Sequence, residues 1–263
     1  MAANQNSNIV FIGCSKFGLR CLELLKKMEG VEVSGVVTAP KNFPISYCKD
    51  GDFNNVLHGD ISTFCSKNNL KYVSINNGMK DSNLLETVKL WNPSFFIVVG
   101  WYHLLPKEWM DLAPAYGLHA SLLPNYSGGA PLVWALINGE RKTGITLFQM
   151  DQGVDSGPVV GQLEEIIEDD DTIASLYARI EERGIELLRL EVPKLISGSY
   201  VLSHQDESQR KTYPQRNEQD GEIDWSWDAQ RIRNFIRAQT KPYPGAFFYI
   251  EGKKVTLWDA DVL

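Results

Sequence analysis

Apolar positions in the first half of the chain alternate between two rhythms. Asn8–Gly13 is an unbroken apolar run closed by glycine, which predicts a buried parallel strand. Lys16–Met28 then places Phe17, Cys21, Leu24, Leu25 and Met28 at helical spacing, and Val31–Thr38 is a second β-branched run. The chain therefore opens as a βαβ unit. A helix is predicted near Ile61–Asn68, a strand at Tyr72–Ile75, a helix at Asn83–Leu90 and a strand at Phe95–Gly100. This alternation predicts an α/β fold with a Rossmann-like doubly wound sheet. Only the long polar segment Ala39–Gly59 interrupts it, and loops of that length in compact domains are often functional or mobile.

The second half keeps the same logic with weaker punctuation. Pro131–Asn138 predicts a short helix with proline in its first turn. Gly144–Gln149 and Val159–Ile167 read as two further strands, antiparallel at one edge of the sheet. Thr172–Ile196 is a long amphipathic helix preceded by Asp169-Asp170-Asp171, acids that suit a solvated helix N-terminus. Ser197–Arg216 is polar and turn-rich. A helix at Ala229–Ala238 and a hairpin of Ala246–Ile250 with Lys254–Trp258 around Glu251-Gly252 make a small C-terminal α+β module. The expected division is a catalytic domain over 1–200, a linker over 201–215 and the small domain over 216–263.

Composition narrows the classes. The 263 residues suffice for a substantial core, and 43% hydrophobic with 22% charged residues is ordinary for a globular protein. A net charge of −7 argues against nonspecific attraction to nucleic acid. The N-terminal residues are polar, with no apolar signal core, and no apolar run approaches bilayer length, so a cytoplasmic location without membrane association is expected. Cys14, Cys21, Cys48 and Cys65 show no CxxC spacing and read as reduced structural thiols. No His/Cys/Asp cluster has ligand spacing, so no metal is expected.

The candidate chemistry lies in two short runs. In Gly117-Leu118-His119-Ala120-Ser121-Leu122-Leu123-Pro124, a histidine leaves a short apolar strand. In Asp151-Gln152-Gly153-Val154-Asp155-Ser156-Gly157-Pro158, an acid returns between glycines. Such an arrangement builds a His–Asp pair at the carboxyl edge of an α/β sheet, where these folds bind ligands. Imidazole titrates near neutrality, and a carboxylate beside it orients and charges it. Gly13-Cys14-Ser15-Lys16-Phe17-Gly18 superficially suggests a nucleotide loop but lacks the GxGxxG pattern, and a tight turn after the first strand needs glycine in any case.

Those runs, with Gly128-Gly129-Ala130-Pro131, Trp134 and Thr143-Gly144-Ile145-Thr146, closely resemble the formyltransferase family that uses N10-formyltetrahydrofolate. Downstream, Asp224-Trp225-Ser226, Ile236-Arg237-Ala238 and Pro242-Tyr243-Pro244-Gly245-Ala246-Phe247 resemble its C-terminal segment. The resemblance implies formyl transfer from the folate N10 to an amine. It implies that His119 acts as base and proton shuttle, that Asp155 orients His119 and raises its pKa, and that Ser121 ties the loop or the histidine in place. One departure stands out: where most members carry asparagine two residues before the histidine, this chain has Gly117. Asn125 is the nearest asparagine downstream, but its spacing does not bring it to the formyl oxygen. The resemblance places the pterin against Trp101, Leu104 and Leu105 and against main-chain groups of Asp151, Gln152, Gly153 and Val154, with His103 at a substrate edge or in solvent.

For the acceptor, the resemblance implies a nucleotide-linked amino sugar destined for surface polysaccharide. Residues 201–263 carry nine Lys/Arg against ten Asp/Glu, a net of −1, whereas a tRNA-binding surface needs clustered positive charge. Lys16, Lys80 and Arg183 are candidate phosphate contacts. A methionyl-tRNA formyltransferase, or a noncatalytic or hydrolytic folate-binding relative, are the alternatives. The C-terminal aromatics (Trp225, Trp227, Phe235, Tyr243, Phe247, Phe248, Tyr249, Trp258) suggest either a homodimer interface or packing within the chain.

Overall fold

The structure is a computed structural model that describes residues 7–45, 53–75 and 78–262. Its elements run β1 (Ser7–Gly13), α1 (Lys16–Leu25), β2 (Val31–Thr38), β3 (Asn42–Phe43), β4 (Phe53–Asn54), α2 (Ile61–Lys67), β5 (Tyr72–Ser74), α3 (Ser82–Lys89), β6 (Phe95–Val99), α4 (Lys107–Leu112) and β7 (Ala115–His119). Then follow β8 (Asn125–Gly128), α5 (Pro131–Ile137), β9 (Lys142–Gln149), β10 (Val159–Ile166), α6 (Ile173–Ser197), β11 (Lys211–Tyr213), α7 (Ala229–Gln239), β12 (Ala246–Ile250) and β13 (Lys253–Leu257).

Seven strands form the main sheet in the order β10-β9-β7-β6-β1-β2-β5. The pairs β1–β2, β1–β6, β2–β5 and β6–β7 are all parallel. At the other edge, Gln149 N donates to Pro158 O and Ile167 N to Arg141 O, the pattern of an antiparallel β9–β10 pair. Parallel strands covered on both faces must be apolar throughout. Ile9–Ile12 and Phe96–Ile97 are fully buried, which is why these segments read as runs rather than alternations. The α/β class expected from the sequence is the one observed.

Contacts group the chain into two compact units: Met1–His119, Leu147–Gly161 and Ile185–His204 form one, and Ala120–Thr146, Gln162–Gly184 and Gln205–Leu263 the other. In the first unit the polar segment Ala39–Gly59 is structured where it is described. Phe43 packs edge-on against Phe53 at 5.5 Å, and Asn55 Nδ2 donates to Cys14 O. Cys14, Cys21 and Cys65 are buried and form no disulfide among the described residues; Cys48 lies outside them. The helix α4 is absent from the sequence expectation because it is six residues long and follows Pro106.

In the second unit β8 pairs in parallel with β11, so part of the polar 201–215 stretch is built into a small sheet. The hairpin turn at Glu251-Gly252 has φ +51° and +74°, the left-handed pair that a two-residue connection requires. One expectation fails here. The acids before α6 were expected to be solvated, yet Asp171 is only 3% exposed. Its carboxylate is held by Arg179 Nη1 at 2.8 Å and Ser175 Oγ at 2.7 Å, while Arg179 Nε reaches Glu165 at 3.0 Å. Reciprocal bonds between Thr172 and Ser175 cap the helix instead. Burial alone would raise the Asp171 carboxyl, but the bonds from Arg179, Ser175 and the Glu168 N–H outweigh it and hold it below the usual carboxylate range. Its contribution to stability is therefore complete above about pH 4 and lost as acid protonates the folded form. Arg179→Met, which strands that buried charge, is expected to cost about 3 kcal/mol. Scanning calorimetry at pH 7 should show a midpoint roughly 6–12 °C lower.

Candidate functional site

His119 is the last residue of β7, at the carboxyl edge of the parallel sheet. Its Nδ1 lies 3.5 Å from Asp155 Oδ2, and the two side chains are 11% and 20% exposed. That separation is long for a hydrogen bond, as is common before a substrate tightens a site. A short loop positions Asp155. Asp151 Oδ1 accepts from Gly153 N at 3.0 Å and from Ser156 Oγ at 2.7 Å, which folds the loop on itself. A Cβ at Gly157 would sit 1.7 Å from Gln149 O, so only glycine lets the loop return so close to β9. Asp155 itself is left-handed, with φ +53°, a strain that a non-glycine residue carries only where surrounding structure imposes it.

Gly117 sits two residues before His119 on the same face of β7. Its backbone is not left-handed, so nothing in the conformation demands glycine. A Cβ built there would meet Phe148 Cε1 at 3.1 Å and the Met150 Cγ and Sδ at 3.4 Å. The position thus has room for a side chain after a small shift of the Phe148 ring.

Ser121 belongs to the second unit and is fully buried. Its Oγ donates to Asn125 O at 2.7 Å, so Asn125 contributes a carbonyl to the loop. Thr146 Oγ1 donates to Ser121 O at 2.6 Å and accepts from Leu123 N, while Gln162 Nε2 donates to both Leu123 O and Thr146 Oγ1. This network pins residues 121–125; Thr146 belongs to the Thr143–Thr146 motif, whereas Gln162 lies in no motif that would have announced it.

The segment after β6 divides. Leu105 is 7% exposed and joins the core cluster with Trp109 and Phe96, whereas Leu104 is 79% exposed. Trp101 is half-buried against the same cluster. His103, expected at a substrate edge or in solvent, is half-buried, with its ring tilted against Phe43 at 5.2 Å and Trp101 at 5.4 Å. Its Nε2 and Trp101 Nε1 are buried without a protein partner among the described residues. Burial lowers the His103 pKa and keeps the ring neutral at pH 7. Phe43 lies sixty positions upstream, so no local pattern signals this contact. Asp151, Gln152, Gly153 and Val154 are all exposed and lead directly into Asp155.

Comparison with known proteins then decides the family. The formyl transferase family matches residues 7–192, and the formyl transferase C-terminal domain matches residues 216–263. A methionyl-tRNA formyltransferase of Caldanaerobacter subterraneus subsp. tengcongensis is 34% identical over 258 residues, covering 97% of this chain and 81% of that enzyme. The chain belongs to the formyl transferase family. A sugar N-formyltransferase from Shewanella sp FDAARGOS_354 shares its fold, with a TM-score of 0.75 at 16% identity over 98% of this chain and 99% of that one. An N-formyltransferase from Helicobacter canadensis, solved with folinic acid and dTDP-3-aminofucose, gives 0.70 at 17% identity over 95% and 86%.

In this formyltransferase the first βα turn is closed to phosphate. Ser15 Oγ accepts from Gly18 N at 2.9 Å, and Lys16 N donates to Leu57 O at 2.8 Å, so the first amides of α1 are already used. Cβ atoms at Gly13 and Gly18 would meet Val99 O at 2.4 and 2.9 Å, which explains Gly13 by the close approach of the end of β1 to β6 and Gly18 by the close packing of α1 on β6. Of the three candidate phosphate contacts, Arg183 is engaged by Glu165 at 2.8 Å, while Lys16 and Lys80 are exposed.

Proposed function

We propose that this formyltransferase moves a formyl group from N10-formyltetrahydrofolate to the amino group of a nucleotide-linked amino sugar. The observation that carries the transfer chemistry is the His119–Asp155 pair at the carboxyl edge of the sheet, 3.5 Å apart and largely enclosed. An amine must be neutral to attack and must shed a proton on becoming an amide. His119 accepts that proton and returns it toward the leaving nitrogen, and Asp155 holds the ring in the orientation and charge state that both steps need. Once protonated, His119 is also a charge-assisted donor to the formyl oxygen as negative charge develops there. Ser121 keeps the following loop rigid through Asn125.

The residues present suit a folate. Trp101 offers an aromatic wall beside the apolar cluster, and the exposed segment 151–154 offers main-chain carbonyls for a heteroaromatic edge. Leu104 is free to cover a bound ring, while Leu105 anchors the segment from within the core. When bound, the folate supplies the activated formyl group.

The acidic balance of residues 201–263 supports a small phosphorylated acceptor over tRNA. The methionyl-tRNA reading is kept alive by the 34% identical relative. The exposed Trp225, Tyr249, Ile250 and Trp258 are the surface that a homodimer would bury. Mass spectrometry of nucleotide-linked amino sugars and of unformylated methionyl-tRNA, each incubated with protein and N10-formyltetrahydrofolate, separates the readings. Formylation of one sugar and not of the tRNA is expected. Formylation of the tRNA alone would reverse the assignment, and folate consumption without a formylated product would mark a hydrolase.

A further inference from the structure

We propose that the second unit carries an oxyanion site whose floor is Arg237 and Asn234 and whose walls are Arg141 and Arg233, built to hold a phosphate group. These side chains line one cavity of about 900 Å³, between the turn after α5 and one face of α7. The proposal is independent of the formyl acceptor.

The floor presents only donors. Arg237 is 8% exposed, and three carbonyls anchor it: its Nη1 donates to Glu168 O at 3.1 Å, Asp169 O at 3.3 Å and Asp171 O at 3.1 Å. Its Nε donates to Asn234 Oδ1 at 3.0 Å. No protein group among the described residues takes its Nη2. Asn234 is 5% exposed, and its Oδ1 is used twice, by Arg237 and by Gln230, so only Nδ2 is open. A Cβ at Gly139 would lie 3.0 Å from that Nδ2, and glycine there keeps the amide uncovered. Two side chains more than nine-tenths buried therefore present N–H groups to the same cavity, where water or an anion can reach them.

The walls add charge. Arg141 and Arg233 make no side-chain hydrogen bond or ion pair among the described residues, whereas Arg231 is occupied by the face of Trp227 at 4.6 Å. Burial, and then the neighbouring Arg233 charge, push the Arg237 guanidinium down from its ordinary value, against the partial relief given by Asp171, Asp169 and Asp170. Acids also line the cavity, but two are committed. Asp228 Oδ1 caps α7 through Arg231 N at 2.8 Å, and Glu140 Oε1 accepts from Tyr126 Oη at 2.6 Å. Asp169 and Asp261 are exposed to solvent. Three guanidinium groups and an amide, all donating, match the oxygens of a phosphate, and the lining carboxylates set the repulsion it must overcome.

Titration calorimetry at low ionic strength tests this with three probes: inorganic pyrophosphate, a nucleoside diphosphate, and a short oligoribonucleotide. The wild-type protein is expected to bind at least one, and Arg141→Gln/Arg233→Gln to weaken that Kd by about tenfold or more at an unchanged thermal midpoint. Pyrophosphate and the nucleoside diphosphate binding alike would identify a free phosphate compound, and much tighter oligoribonucleotide binding a nucleic-acid backbone. Failure of all three probes to bind, or an equal Kd in the double variant, would overturn the site. Arg233→Glu, which reverses one wall charge on the helix surface, provides a second reading should the double variant lose stability.

Discussion

Replacement of His119 by asparagine is expected to lower kcat for formyl transfer by about 10²–10⁴-fold, the range supplied by a positioned general acid–base group. The argument starts from geometry. β7 delivers the imidazole to the sheet edge, and the loop folded on Asp151 brings a carboxylate to 3.5 Å from its Nδ1. Asparagine keeps a polar group of similar reach but cannot carry a proton between the attacking and the leaving nitrogen. KM for the folate should hardly move, because the expected folate contacts lie at Trp101 and the 151–154 backbone. Asp155→Asn should give a smaller loss, since the ring remains but its orientation and charge are no longer enforced. Steady-state kinetics over pH 6–9 for both variants, with thermal midpoints alongside, checks this. Wild-type turnover in folded His119→Asn would remove the histidine from the chemistry.

How much of this was legible in the sequence depended on the range of the interactions involved. β1, β2 and β6 are buried on both faces, so their apolar runs announced themselves, and the helices between them showed amphipathic spacing. The strands β8 and β11 carry Asn, Ser, Gly, Lys and Thr, and they exist because each pairs with the other across more than eighty residues. Asp171 looked like a solvated acid because its partner Arg179 stands a further two turns along α6, and only the fold shows that the pair is enclosed. His103 misled in the same way, since the Phe43 ring that buries it comes from the polar segment after β2. The proximity of His119 and Asp155 was foreshadowed by motif, because glycines and prolines flanking each residue fix local turns. The donor floor around Arg237 was invisible, since three backbone carbonyls hold it and carbonyls leave no trace in a sequence.

Gly117→Asn is expected to raise kcat by roughly ten- to a hundredfold, a partial recovery of the 100- to 1,000-fold that one oxyanion donor is worth in other enzymes. In most relatives by resemblance, asparagine occupies this place and its amide helps to hold the formyl oxygen. Here position 117 itself offers only its backbone N–H. The structure makes the reverse substitution feasible: position 117 is an ordinary strand residue, and the new Cβ meets nothing closer than Phe148 Cε1 at 3.1 Å. An aromatic ring edge can give by a few tenths of an ångström, and loss of glycine's excess freedom in the unfolded chain offsets part of that crowding, by about 0.4–1 kcal/mol. The thermal midpoint should therefore change by only a few degrees. Gly117→Ala is the control, because it adds the same Cβ without an amide and should leave kcat near the wild-type value. A rise in the asparagine variant alone would show that the site runs below its chemical limit for want of one donor. Equal rates in the wild-type, alanine and asparagine proteins would instead mean that His119 and the backbone already stabilise the formyl oxygen fully, and that the glycine costs this enzyme nothing.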